Sequence, residues 1–128
     1  MSTLKRAVIT GIGAISCIGN NISEITKSLK LGTSGIRFNE SYKELGMRSH
    51  ISGSINLNLK DLIDRKHLRF MGEAASYAYL SAAEAIKDSG LDLSRFSSLD
   101  VGVIAGSGGA SSRSQVEAAD IVLSLIHI

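Results

Sequence analysis

The chain has 128 residues, 44% of them hydrophobic and 20% charged, with a formal net charge of +2, which places it among globular sequences of single-domain length. So small a charge, with no basic run interleaved with aromatics, argues against nucleic acid, and no apolar stretch approaches the ~18 residues of a membrane-spanning helix. A single cysteine excludes an internal disulfide framework, no Cys/His spacing resembles a metal site, and the N-terminus lacks the apolar centre of a signal peptide, so the cytoplasm is the expected location.

Ala7-Val8-Ile9-Thr10 reads as a strand buried on both faces, broken at Gly11 and Gly13 into a turn that feeds a helix. Such a turn can present backbone N–H groups to phosphate, as dinucleotide-binding loops do. The fingerprint G-x-G-x-x-G, however, needs glycine where this chain has Ser16, and the acidic residue expected about 20 residues on is missing from T-S-G-I-R-F-N. The alternative is that the glycines let the chain turn tightly beneath a close-packed helix.

Asn20 or Asn21 can cap a helix with Ile22, Ile25 and Leu29 on its apolar face, Lys27 and Lys30 near its C-terminal end and Gly32 terminating it. Thr33 to Gly35 reads as a turn, and the stretch through Met47 as irregular, with a short helical turn around Tyr42. Ser49 to Leu57 alternates Ile51, Ile55 and Leu57 with polar neighbours, the period of a half-exposed strand, and Gly53 suggests a bulge in it. Asp61 to Arg69 leads into the longest helical pattern. Leu68, Met71, Ala75, Ala78, Ala82 and Ile86 recur at 3/4 spacing, and Gly90 is placed to end the helix. Leu91 to Ser98 is a connection, and Leu99 to Ala105, L-D-V-G-V-I-A, is a second buried strand running into Gly106-Ser107-Gly108-Gly109. Two strand-glycine-helix units indicate an α/β protein with a central sheet. No repeat or domain boundary shows in the composition, and with proline absent the turns fall to Gly, Ser, Asn and Asp.

The runs K-R-A-V-I-T-G-I-G-A-I-S-C-I-G-N-N at Lys5 to Asn21, G-M-R-S-H at Gly46 to His50, I-D-R-K-H-L-R-F-M at Ile63 to Met71 and V-G-V-I-A-G-S-G-G at Val101 to Gly109 resemble, in this order, the N-terminal part of the β-ketoacyl-[acyl-carrier-protein] synthase I family of thiolase-like condensing enzymes. The resemblance runs from Leu4 to about Ala119-Asp120. It implies that the chain is an incomplete N-terminal half of a layered α-β-α-β-α fold, from an enzyme that is a homodimer in the cytosol and uses no cofactor. In the family an acyl group passes to a cysteine thiol and is condensed with malonyl-[acyl-carrier-protein] as carbon dioxide leaves. A thiolate at a helix N-terminus, backbone N–H groups around the oxyanion and two histidines suit that chemistry. The resemblance implies that these catalytic groups lie beyond the end of this chain, which is expected to be inactive alone.

Cys17 therefore is not the nucleophile. It falls in the first strand-to-helix turn, where the family usually has serine, and reads as a small buried apolar residue. His50, His67 and His127 match no catalytic histidine of the family. Two carry-overs do land on matching positions. Arg65, Lys66 and Arg69 correspond to the basic patch that docks the acidic carrier protein, in the presence of Asp61 and Asp64, which offset part of the field. Gly109 falls where the family lines its acyl pocket near the dimer interface, with Gln115 close by.

From Leu123 the sequence leaves the family pattern. Leu123 to Ile128, L-S-L-I-H-I, is also what the nucleotides CTGTCTCTTATACACATC encode, a transposase adapter string used in preparing sequencing libraries. Residues 1–122 are accordingly expected to be a partial synthase domain and residues 123–128 a non-native tail. Two other functions are compatible with the residues: a non-catalytic carrier-protein-binding module keeping only the basic patch, and a nucleotide-binding domain. A chain ending inside the fold is also expected to leave sheet edges and apolar faces exposed and to aggregate or stay partly unfolded.

Overall fold

The structure is a computed structural model that describes residues 6–92, 94, 101–109 and 111–125. The chain divides into two compact units, one formed by residues 1–58 and 78–91 and the other by residues 59–77 and 92–128. Helices with one small two-stranded sheet fit an α/β fragment.

In the first unit, residues 6–15 form no helix and pair with no strand among the described residues. The expected buried strand at Ala7 to Thr10 is therefore corrected: all four residues are exposed, Val8 at 78% and Ile9 at 84%. A β-branched run favours extended backbone, but only neighbouring chains can bury its two faces. Ser16 and Gly19 then exchange backbone hydrogen bonds of 2.9 and 3.2 Å around Cys17-Ile18. Helix α1, Ile22–Leu31, follows at once. Asn21 is its N-cap and accepts from the Glu24 backbone N–H at 2.9 Å, while the Glu24 carboxylate reaches back to the Asn20 N–H at 2.9 Å. This reciprocal pairing satisfies donors that the first turn leaves open. Gly32, at φ 65°, ends the helix and sends its N–H back to the last turn. Ile22 and Ile25 are half-buried as expected, but Leu29 is 67% exposed.

Strand β1, Ile36–Phe38, pairs antiparallel with strand β2, Ile51–Gly53, placing Ile36 opposite Gly53 and Phe38 opposite Ile51. β1 was not expected, and β2 is shorter than the alternation from Ser49 to Leu57 suggests. The register is regular, so Gly53 is not a bulge. Between them lies helix α2, Glu40–Glu44, the turn expected around Tyr42, capped by Asn39.

In the second unit, the short helices α3, Leu59–Leu62, and α4, Arg65–Leu68, flank Ile63, the one buried large apolar side chain among the described residues at 4% exposure. Asp64 caps α4 by accepting from the Lys66 backbone N–H at 2.8 Å. Helix α6, Ser112–Leu125, runs past residue 123 and is preceded by Ser111, whose hydroxyl accepts from the Ser114 N–H at 3.3 Å. The strand expected at Leu99 to Ala105 falls partly outside the described residues. Its described part, 101–105, forms no strand and is exposed, Ile104 fully so. Leu91 to Ser98 and the tail at 126–128, with His127, also lie wholly or largely outside the described residues.

Helix α5, Glu73–Ser89, contributes to both units and ends at Gly90 with φ 63° as expected. The expected apolar stripe is only in part its buried face: Ile86 is half-buried, but the stripe's alanines are not. Ala75, Ala78 and Ala82 are exposed, whereas Ser76 is buried and Leu80, Ser81, Glu84, Ala85 and Ser89 are half-buried. The stripe was extrapolated through Leu68, but the helix breaks at residues 69–72, so Leu68 sets no phase for α5. Among the described residues no helix is long and apolar enough to cross a membrane.

Candidate functional site

The glycine turn lies against α5 in the first unit. A Cβ at Gly13 would overlap the Ser81 carbonyl oxygen, and one at Gly11 would overlap that of Ala85. Only residues without side chains allow this approach of two backbones, which is the close-packed reading of the turn. Two of its N–H groups, and the first of α1, are already taken. Asp88 Oδ2 accepts from Ile12 at 3.0 Å, Glu84 Oε2 accepts from Ala14 at 3.1 Å, and Glu84 Oε1 accepts from Ile22 at 2.9 Å. Two carboxylates aimed at the turn repel phosphate, so the dinucleotide reading has no cradle here.

Cys17 is half-buried where the turn meets the hairpin. Its sulfur lies 3.0 Å from where a Cβ of Gly53 would be and 2.7 Å from where that of Gly35 would be. Gly53 is thus a site of close approach, which replaces the bulge. No hydrogen bond joins the thiol to a basic side chain among the described residues. A cleft passes beside it, lined among others by Ser16, Asn20, Glu24, Arg37 and Asn56.

The basic residues of the second unit are displayed by α4. Arg65 and Lys66 form its first turn and Arg69 its C-cap, and all three are exposed. Asp64 is engaged in capping, and none of the three cations joins a salt bridge among the described residues. Lys60, Arg65 and Arg69 border a groove floored by Ile63 and Leu68. The Arg69 guanidinium lies 4.4 Å from the centroid of the exposed Phe70 ring, a cation–π contact that holds it at the rim.

Gly109 is exposed, with open space on its Cα, and its carbonyl accepts from the Ser107 hydroxyl at 2.9 Å. Gln115 is exposed in the first turn of α6. His50 is half-buried and packs edge-on against Phe38 at 6.0 Å, and His67 is exposed. No cluster of His, Cys, Asp or Glu among the described residues could hold a metal ion.

Residues 5–123 match the family described as Beta-ketoacyl synthase, N-terminal domain. The chain belongs to the β-ketoacyl synthase family. It is 52% identical over 118 residues to 3-oxoacyl-[acyl-carrier-protein] synthase 1 of Escherichia coli (strain K12), covering 91% of this chain and 29% of that protein. Against the synthase 1 of Haemophilus influenzae (strain ATCC 51907 / DSM 11121 / KW20 / Rd) it is 50% identical, covering 93% and 29%. Against the 3-oxoacyl-[acyl-carrier-protein] synthase 2 of Staphylococcus aureus (strain COL) it is 38% identical, covering 84% and 26%. The chain thus spans less than a third of the length of these relatives.

In this β-ketoacyl synthase chain, sequence reasoning missed Glu84 and Asp88. Both look like ordinary solvent-facing charges of an amphipathic helix, and the hydrogen bonds they accept come from 62 to 76 residues away. Their spacing of four on the helix was the available signal, since it puts both on one face.

Proposed function

We propose that the chain is the N-terminal part of an elongating β-ketoacyl-[acyl-carrier-protein] synthase. The complete enzyme transfers an acyl group to a cysteine thiol and condenses it with malonyl-[acyl-carrier-protein] after loss of carbon dioxide. The match to the synthase N-terminal domain across residues 5–123 carries this reading. On it, the fold is completed as a layered α-β-α-β-α structure, in a cytoplasmic homodimer. The nucleophilic cysteine and both histidines lie outside this chain, and Cys17, wedged against Gly35 and Gly53, takes no part. Residues 123–128 are a non-native tail, a reading supported by the family match reaching only the first of these residues and none of the other five.

Arg65, Lys66 and Arg69 dock the acidic carrier protein. The reading is supported by their exposure on one short helix and its C-cap, around a groove with an apolar floor. Cations at a rim speed association and set orientation. Gly109 and Gln115 border the acyl pocket in the complete enzyme, where a missing side chain leaves room for the growing chain.

The test is incubation of the chain with acyl-[acyl-carrier-protein], reading both binding and acylation. Binding that weakens with salt and is lost in the Arg65→Glu/Arg69→Glu double variant, without acyl transfer to Cys17, is the expected result. A stable acyl group on Cys17 would overturn the assignment of that residue, and salt-independent binding would overturn the docking patch.

A further inference from the structure

The hydrogen bonds between the glycine turn and α5 form a repeating pattern. Residues 11–14 run antiparallel to α5: Gly11 lies against Ala85 and Ser89, and Gly13 against Ser81. The N–H groups of Ile12 and Ala14 point toward α5, and each donates to a carboxylate, Asp88 at 3.0 Å and Glu84 at 3.1 Å. The spacings agree. Two residues of extended chain advance ~6.8 Å, and four residues of helix advance about 6 Å. Alternate N–H groups of an extended segment therefore fall in step with side chains four apart on a helix.

We propose that Glu84 and Asp88 form a two-rung acceptor ladder that replaces a neighbouring strand for the segment Ile12 to Ala14, with Glu84 as the positioning residue. The second oxygen of Glu84 extends the ladder to the Ile22 N–H, the first residue of α1. One carboxylate thereby fixes both ends of the Cys17-containing loop, adding to the Asn21 cap. The side chain is half-buried, so water competes poorly for these bonds. The upstream residues Val8 to Thr10 have no such acceptors among the described residues and are exposed. The ladder depends only on this chain's own contacts and stands whether or not the condensing-enzyme reading does.

Hydrogen exchange of the whole chain at low micromolar concentration, read by mass spectrometry with fragmentation to single amides, tests it. In the unmodified chain the Ile12, Ala14 and Ile22 amides exchange at least about tenfold more slowly than those of Val8 and Thr10. Glu84→Ala accelerates Ala14 and Ile22 about tenfold or more and leaves Ile12 slow, whereas Asp88→Asn accelerates Ile12 alone. Glu84→Gln, which keeps one acceptor oxygen, restores protection to one of the Glu84 pair. Exchange at Ala14 and Ile22 as fast as at Val8 in the unmodified chain would overturn the ladder. So would a Glu84→Gln variant in which both amides stay fully protected, an outcome readable even where Glu84→Ala loosens α5.

Discussion

Gly13 faces Ser81 so closely that a methyl group on Gly13 would overlap the Ser81 carbonyl oxygen. The neighbouring Ala14 N–H is held by Glu84, so the backbone cannot retreat without breaking that bond. Gly13→Ala is therefore expected to destabilise the first unit by about 2 kcal/mol or more, the scale of overpacking against a rigid neighbour. The urea midpoint for loss of helical circular dichroism measures it. An unchanged midpoint would mean that the turn and α5 separate freely.

Asn21→Ala removes the acceptor for the Glu24 N–H and should cost about 1 kcal/mol, as loss of a helix N-cap does. Gly32→Ala forces a side chain into the left-handed region at φ 65°, at a cost of about 1 kcal/mol. The two changes act at opposite ends of α1 and are expected to add. The same denaturation assay on both singles and the double variant checks this.

Tyr77 holds its phenol above its ordinary pKa, first because burial disfavours the phenolate and then because Glu73 lies nearby. A folded-state pKa raised above the unfolded value gives a contribution to stability that is complete below about pH 10. It is lost as pH rises through the higher folded value. Tyr77→Phe should remove a late-titrating phase in absorbance at 295 nm, and Glu73→Gln should shift that phase to lower pH by a smaller amount. A titration curve unchanged by Tyr77→Phe would contradict the assignment.

Val8, Ile9, Val103 and Ile104 present β-prone, uncharged backbone to solvent. Such segments pair with any strand they meet. The chain is expected to self-associate as its concentration rises, with slower association when Ile9 or Ile104 is replaced by lysine. Sedimentation velocity over a tenfold concentration range measures this, and a concentration-independent monomer in the unmodified chain would contradict it.

The local signals in the sequence were read correctly where a residue acts on its own neighbours. Asn21, Gly32 and Gly90 end or begin helices because caps depend on a few adjacent backbone groups. The close packing of Gly11 and Gly13 on a helix was legible because the other reading of such glycines, a dinucleotide turn, lacks its third glycine at Ser16. Burial was less legible. Alanine spacing in α5 shows which residues could share a face, but Ser81, Ala85 and Ser89 face the turn because two glycines approach there. The strand at Ile36–Phe38 escaped notice because three residues give no period, and its partner identifies it. For the candidate site, D-R-K-H-L-R announced the cations of α4. Nothing local announced that Glu84 would receive N–H groups from 62 and 70 residues away.

The seat of Cys17 makes the molecule its own reporter. The chain has one thiol, half-buried beside the cleft, with Gly35 and Gly53 close against its sulfur. An alkylating reagent reaches the sulfur more readily whenever that joint parts. The ratio of the alkylation rate of Cys17 to that of a free thiol then rises with the time the hairpin stands away from the loop. Substitutions at Glu84, Asn21 or Gly13 can be ranked by how often they open it, with no label beyond the sulfur already there.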